Sequence, residues 1–328
     1  MDASSFEQVP FAGGHAFRIK DECLRMDIMC QLYGSMQIRP KDGMYKFPGN
    51  LPVSLERKNL KDLKFAGYLV TEKTDGIRYF MYITKYDNKQ LILMIGRNLE
   101  MYQLPLSIYD GLYANTIIDG ELVDSKDGYI FNVFDAVQFC GENLMKHGFH
   151  SRFGACQELM KMVFPSEKDP FTFRTKAFYP VTGVRDVVQF GREQGYETDG
   201  LVFYPTEKGY SAFRQWDLLK WKPLHKNTVD FMLTKTEKNE YAFAVFNKGV
   251  HTVIQTIVVR PSLIQVEIET ALLDNDSVVC ECKWDSKAYI WLPQMLRRDK
   301  HHANDMFTFE KTVLNISENI RLEELYVI

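Results

Sequence analysis

Apolar residues along the chain follow two rhythms. In "KDECLRMDIMCQLYG", Leu24, Ile28 and Leu32 recur every four residues and a glycine follows, which predicts a helix. From Tyr68 the pattern shifts to short runs rich in β-branched and aromatic residues. "YLVTEK", "RYFMYITKY", "QLILMIGR", "TIIDGELV" and "GYIFNVFDAVQF" are separated by turn residues and predict strands. "SRFGACQELMKMVF" returns to helical spacing through Phe153, Cys156, Leu159 and Val163, and "VRDVVQFGREQG" predicts another helix ending at glycine. "DGLVFYP" and "LLKWKP" read as strands. "DGMYKFPGNLPVSLERKN" is turn-rich and reads as an ordered loop.

After "KPLHKN" a second strand-rich block begins. "DFMLTK", "YAFAVFN", "TVIQTIVV", "IQVEIETALL" and "SVVCECKW" are short and closely spaced, as in a small barrel or sandwich. At the end of the chain Leu314, Glu318 and Arg321 approach helical spacing, with Asn304 or Asp305 as the cap. The boundary between the blocks is expected near Pro223.

Composition narrows this little. The 328 residues suffice for two domains or one large one, and 45% hydrophobic with 25% charged is ordinary for a globular protein. A net charge of −3 argues against coating a polyanion, though not against a local basic groove. Six cysteines without a C-x-x-C pair argue against zinc and are expected as reduced, buried thiols, with Cys280 and Cys282 on one strand face. No basic-then-apolar leader is visible and no run approaches the ~18 apolar residues of a membrane span. The expectation is a soluble protein of the nucleus or cytoplasm, or of the host-cell interior or virion if viral.

The chemistry centres on "TEKTDGIRYF", in which Lys73, Asp75 and Arg78 surround an Asp-Gly pair read as a hairpin turn. A lysine attacks only when uncharged. Lowering its pKa of about 10.4 by about three units costs roughly 4 kcal/mol, so such an amine needs burial or neighbouring cations. Lys220 and Lys222 in "LLKWKP" share a strand face and can supply them. Glu121 and Asp199, each beside an Asp-Gly turn, suit a divalent cation and a ribose hydroxyl. Phe134, read as lying at a strand end, can stack on a nucleobase. Taken singly, an Asp-Gly is a turn, paired lysines are a solvated face and a phenylalanine is core.

Taken in order, "EKTDGIR", "GRN", "IIDGEL", "VFDAV", "TDGLVF", "LLKWKP" and "RRDKHHAN" resemble the motif series of the covalent nucleotidyltransferases. That superfamily includes messenger RNA capping enzymes and ATP-dependent polynucleotide ligases. The resemblance looks closest to the compact guanylyltransferases of large DNA viruses, the chlorella virus type. It implies an α+β fold: a nucleotidyltransferase domain of antiparallel sheets with flanking helices over residues 1–224, and an OB-fold barrel over 225–309. The segment 310–328 is expected to pack back on the first domain.

The same resemblance implies that Lys73 takes GMP from GTP and passes it to the 5′-diphosphate end of RNA, with Mg2+ or Mn2+. It places Glu72, Thr74, Asp75, Arg78, Arg97, Glu121, Phe134, Lys176 and Asp199 around GTP. Arg78 goes to a ribose hydroxyl or to the turn beside the nucleophile, Arg97 to a ribose hydroxyl or phosphate, Glu121 to ribose, Phe134 to stacking on guanine, Lys176 to guanine O6 and Asp199 to the metal. Lys220 and Lys222 go to the α-phosphate. Arg297, Asp299 and Lys300 go to the β- and γ-phosphates as the domains close. Leu224 departs from the glycine of relatives after "KP", and Ala303 from a proline. Implied partners are the RNA 5′ end and a separate triphosphatase, methyltransferase or polymerase, but no membrane.

An ATP-dependent DNA or RNA ligase uses the same lysine chemistry and is the main alternative. Glu267 and Glu269, read on one strand face of "QVEIETALL", suggest a tunnel triphosphatase, but no second acidic strand is found. A degenerate, non-catalytic nucleotide binder is the third reading; the retention of every reactive position weighs against it.

Overall fold

The structure is a computed structural model that describes residues 5–65 and 67–328. In chain order the elements are β1 (Phe6–Phe11), β2 (Gly14–Ile19), α1 (Glu22–Ser35), β3 (Asn50–Ser54), α2 (Leu60–Phe65), β4 (Tyr68–Thr74), β5 (Ile77–Tyr86), β6 (Lys89–Gly96), β7 (Met101–Gln103), β8 (Thr116–Ser125), β9 (Gly128–Phe139) and β10 (Glu142–Asn143). There follow α3 (Phe149–Met162), β11 (Thr172–Thr175), β12 (Tyr179–Pro180), α4 (Val184–Glu193), β13 (Thr198–Pro205) and β14 (Phe213–Trp221). The last group is β15 (Thr228–Lys235), β16 (Tyr241–Asn247), β17 (Val250–Ile257), α5 (Leu263–Leu272), β18 (Val278–Asp285), β19 (Ile290–Leu296), α6 (Met306–Glu318) and α7 (Leu322–Leu325).

The fold is α+β, with sheets flanked by helices, and it divides into two compact units. One comprises residues up to Val53, Lys61–Trp221 and Tyr326–Ile328; the other comprises Ser54–Leu60 and Lys222–Leu325.

The first unit holds two sheets. The larger runs β1-β2-β7-β6-β5-β8-β9-β10, with β11 joining β9 in parallel. Its central strands β5, β6, β8 and β9 are buried on both faces because both are covered. Alternate residues of β5 part company: Met81 and Ile83 meet Ala155, Cys156 and Leu159 of α3, while Phe80 and Tyr82 meet Leu24, Ile28 and Leu32 of α1. The smaller sheet runs β12-β4-β13-β14-β3. The stretch read as a loop before residue 60 contributes β3 to this sheet, so that reading is corrected.

β4 and β5 belong to different sheets. The expected hairpin at Asp75-Gly76 is therefore a crossover between sheets. Glycine is required there by close approach: a Cβ on Gly76 would lie 2.6 Å from the Leu122 carbonyl oxygen and 2.7 Å from Val123 Cγ1. Asp119-Gly120 and Asp199-Gly200 are not turns either. Each lies inside a strand at a break in register, between Asp119 and Gly120 in β8 and between Thr198 and Gly200 in β13.

The second unit is an antiparallel sheet ordered β17-β16-β15-β18-β19, around Phe231, Phe243, Cys280, Cys282 and Trp291. Four of these strands, β15 to β18, fall on runs expected as strands; β19, over Ile290–Leu296, was not expected. Among the described residues no ladder joins β17 to β19; instead the Gln255 side chain donates to the Trp291 carbonyl (2.7 Å) and accepts from its N–H (2.9 Å).

"IQVEIETALL", expected as a strand, is helix α5. Ser262 caps it by accepting from the Gln265 N–H at 3.3 Å, and Ile264, Ile268 and Leu272 repeat at helical spacing into the core. Glu267 and Glu269 thus share no strand face, which removes the basis of the triphosphatase reading. Asp305 caps α6, accepting from Thr308 N–H at 2.7 Å. Met306, Phe309 and Ile316 of that helix pack on the second unit's core, so of the expected returning segment only residues 326–328 group with the first unit. Cys156, Cys280 and Cys282 are buried, but Cys23, Cys30 and Cys140 are exposed, contrary to expectation; all six are free thiols.

Candidate active site

The site of the first unit forms where the crossover leaves β4. Strand pairing sets Lys73 opposite Gly200, and the adjoining register break lets Asp199 reach it. Lys73 Nζ donates to Asp199 Oδ1 at 2.7 Å. The lysine side chain is 23% exposed and the aspartate 8%, so the amine is reachable while its partner is held.

Around this pair the expected residues assemble in a chain of contacts. Thr74 Oγ1 donates to Glu121 and accepts from Lys176 Nζ at 3.0 Å. Lys176 is buried, 4.0 Å from Glu72 and 6.0 Å from the centre of the Phe134 ring. Glu72 is buried in turn and accepts from Thr71 Oγ1 (2.9 Å) and from the Tyr196 hydroxyl (3.2 Å). Burial first, then the Glu72 carboxylate, push the Tyr196 phenol above its ordinary pKa. Phe134 lies in mid-strand rather than at a strand end, and only 6% of its surface is exposed.

Arg78 lies beneath this layer. Its Nε donates to Asp119 Oδ1 at 2.9 Å, one Nη donates to the other oxygen of Asp119 and to Asn50 Oδ1 (2.6 Å), and the remaining Nη donates to the Asn50 carbonyl. The guanidinium sits 5.3 Å from the Phe134 ring centre and 5.6 Å from that of Phe47. Burial alone would disfavour its charge, but Asp119 outweighs that and raises its pKa. Asp119 also accepts from the Tyr210 hydroxyl at 2.6 Å. Asp119, Asn50, Tyr210 and Tyr196 were missed in the sequence. Once β8 is read as an unbroken strand, Asp119 is flagged by its period-2 spacing from Glu121.

The other expected residues of this unit are Asp75, Arg97 and Lys220. Asp75 is exposed on the crossover, its N–H donating to the Glu197 carbonyl at 3.0 Å. Arg97, just after β6, is solvent accessible but partly desolvated by the protein around it. That desolvation, then the charge of Arg78, hold its pKa below the usual arginine value against the opposing pull of Glu121 and Asp119. Lys220 pairs across to Val202, which pairs to Thr71, so Lys220 shares the Lys73 face of the smaller sheet.

Lys222, Arg297, Asp299 and Lys300 fall in the second unit. There Arg297 grips Asp299 through two bonds of 2.9 and 2.7 Å and reaches Asp230 and Glu281, each at 3.3 Å, while Lys300 donates to Asp230. Asp230 is the buried hub of this group, and it too was missed.

Two family profiles match the chain: "mRNA capping enzyme, catalytic domain" over residues 18–224 and "mRNA capping enzyme, C-terminal domain" over 226–326. The "mRNA-capping enzyme" of Mus musculus is 29% identical over 298 residues, covering 85% of this chain and 49% of that protein. That of Danio rerio is 30% identical over 280 residues, covering 79% and 46%. The "mRNA-capping enzyme subunit alpha" of Schizosaccharomyces pombe is 26% identical over 318 residues, covering 85% and 79%. The chain thus spans about half the length of the vertebrate relatives. With the catalytic-domain profile matched over more than half its length, the chain belongs to the mRNA capping enzyme family.

Proposed function

We propose that the chain is an mRNA guanylyltransferase. The observation that carries this is the Lys73–Asp199 pair, set beside a buried cluster of Glu72, Thr74, Glu121, Phe134 and Lys176. Lys73 Nζ, freed of a proton, forms a bond to the α-phosphorus of GTP, and the bond from that phosphorus to the bridging oxygen breaks to release pyrophosphate. The terminal phosphate oxygen of RNA 5′-diphosphate then attacks the same phosphorus. The phosphorus–nitrogen bond breaks, the amine is restored and the GpppN cap forms. Two displacements let one site serve both partners in turn. Lys220 stabilises charge on the α-phosphate, Phe134 and Lys176 hold guanine, and Glu121 and Arg97 hold ribose. Arg297, Asp299 and Lys300 are assigned to the triphosphate and Lys222 to the α-phosphate.

A divalent cation fits this reading in a limited way. Among the described residues no group of three or more acidic, histidine or cysteine side chains forms a metal cage. Mg2+ bound by one or two carboxylates and substrate phosphates needs no such cage, and Asp199 offers one carboxylate. When bound, the cation would neutralise phosphate charge.

The test is incubation with radiolabelled GTP or ATP and Mg2+ or Mn2+. Covalent, acid-labile label is expected from GTP, discharged by RNA ending in a 5′-diphosphate and absent in Lys73→Ala. Label from ATP alone makes the chain a ligase; label persisting in Lys73→Ala overturns the nucleophile.

A further inference from the structure

Among the described residues one tryptophan is exposed: Trp216, at 63%. It stands on β14 with Arg214, whose guanidinium carbon lies 5.4 Å from the indole ring centre, and Arg214 is exposed as well. Exposing so large an apolar ring forgoes the stabilisation that burial would give. Nothing in the guanylyltransferase reading uses this pair.

Its place in the sheet is informative. Side chains two apart on a strand share a face. Arg214, Trp216, Leu218 and Lys220 therefore point the same way from β14, and register carries that face through Val202 and Thr71 to Lys73. Leu218 is buried against Phe134 and Val202, while Trp216 and Arg214 continue the strand beyond it into solvent. Trp216 and Lys220 are four positions apart on the strand, about 13 Å. A single strand of RNA with its 5′ phosphates at Lys220 reaches Trp216 within its first few nucleotides.

We infer that Trp216 and Arg214 form a binding platform for the acceptor RNA, a base stacking on the indole and a phosphate meeting the guanidinium. Aromatic stacking suits this role because every base offers a π-face, so the platform binds without regard to sequence. The arginine adds a charge-dependent term that a chain of net charge −3 supplies only locally. A protein partner could also use an exposed tryptophan, but the shared face with Lys73 and Lys220 favours the molecule whose 5′ end must reach those lysines.

This rests on the guanylyltransferase reading, and the two half-reactions separate the failures. Wild type, Trp216→Ala, Trp216→Phe and Arg214→Ala are first labelled with GTP, a step that needs no RNA and checks the fold. Each labelled protein is then given 5′-diphosphate RNA, either a decanucleotide or a dinucleotide too short to reach the platform. Trp216→Ala is expected to raise KM for the decanucleotide about tenfold and leave the dinucleotide unchanged, with Trp216→Phe close to wild type. Arg214→Ala should flatten the salt dependence of decanucleotide KM by about 0.7 in log–log slope, one phosphate's worth. Equal decanucleotide KM in Trp216→Ala and wild type overturns the platform, as does a rise of the same size with both acceptors. If wild type takes no label from GTP, it is the guanylyltransferase reading that fails.

Discussion

At the scale of single residues, the two cations flanking the crossover have opposite roles. Lys73 is partly exposed with one carboxylate partner, whereas Arg78 is buried and its bonds go to Asp119 and Asn50. Removing one member of a buried pair strands the other charge, at a cost of about 3–5 kcal/mol. Arg78→Leu should lose about that much in urea unfolding, and a loss under about 1 kcal/mol would show that Asp119 is compensated elsewhere. Asp299 offers a pH readout. Its hydrogen bonds from Arg297 hold its pKa down to about 2, against about 3.9 when unfolded. The folded pKa is depressed, so the pair's contribution is complete above about pH 4 and is lost as pH falls through about 2. The side chain is 64% exposed, so that contribution is small. An NMR titration should place its midpoint near 2; a midpoint near 4 would mean the pair does not persist in solution. Lys73 stood out in the sequence by the residues around it, "EKTDGIR", whereas the face it shares with Lys220 comes from pairing across β4, β13 and β14 and was not legible. Asp119 was not legible either, because an Asp-Gly pair carries the same local signal in a turn and in a bulge.

At the scale of elements, that ambiguity explains most of what was misread. Three Asp-Gly pairs make one crossover and two in-strand register breaks, whereas the turn between β5 and β6 is Asp87-Asn88, with φ of 50° and 58°. That is the left-handed geometry of a tight hairpin. Runs of β-branched and aromatic residues between turn residues predicted β4, β5, β6, β8 and β9 well, since that signal is local. Which sheet a strand joins depends on distant partners and was not legible. α5 was misread because its β-branched residues imitate a strand, and the four-residue spacing of Ile264 and Ile268 was outweighed. The crossover can be tested directly. Gly76→Ala forces a Cβ onto the Leu122 carbonyl and shifts the strand end bearing Lys73. A displacement near 1 Å can cost up to about 100-fold, so GMP labelling should drop about 10- to 100-fold with the fold intact by circular dichroism. Full labelling would show that the crossover tolerates movement.

At the scale of the whole molecule, the chain enters the second unit twice. Residues 54–60 lie in sequence between strands of the first unit, yet their bonds go to the end of the chain. Arg57 N–H donates to Glu318 at 2.8 Å, Lys311 Nζ to Glu56 at 2.6 Å and Asn315 Nδ2 to the Leu55 carbonyl at 2.9 Å. Cooperative opening follows contacts rather than sequence order. Native-state hydrogen exchange should therefore give the Arg57 and Asn59 amides the protection of residues 222–325; exchange in step with β4 would contradict the partition.

The seam at Asp75-Gly76 bears on how this protein tolerates rearrangement. A circular permutant opened at Asp87-Asn88 keeps each strand of the first unit anchored to its own sheet. One opened between Asp75 and Gly76 cuts a stretch that has every outward sign of a dispensable loop. It would sever the covalent tie between the strand bearing the amine and the sheet bearing Glu121 and Phe134, leaving a folded but catalytically silent protein.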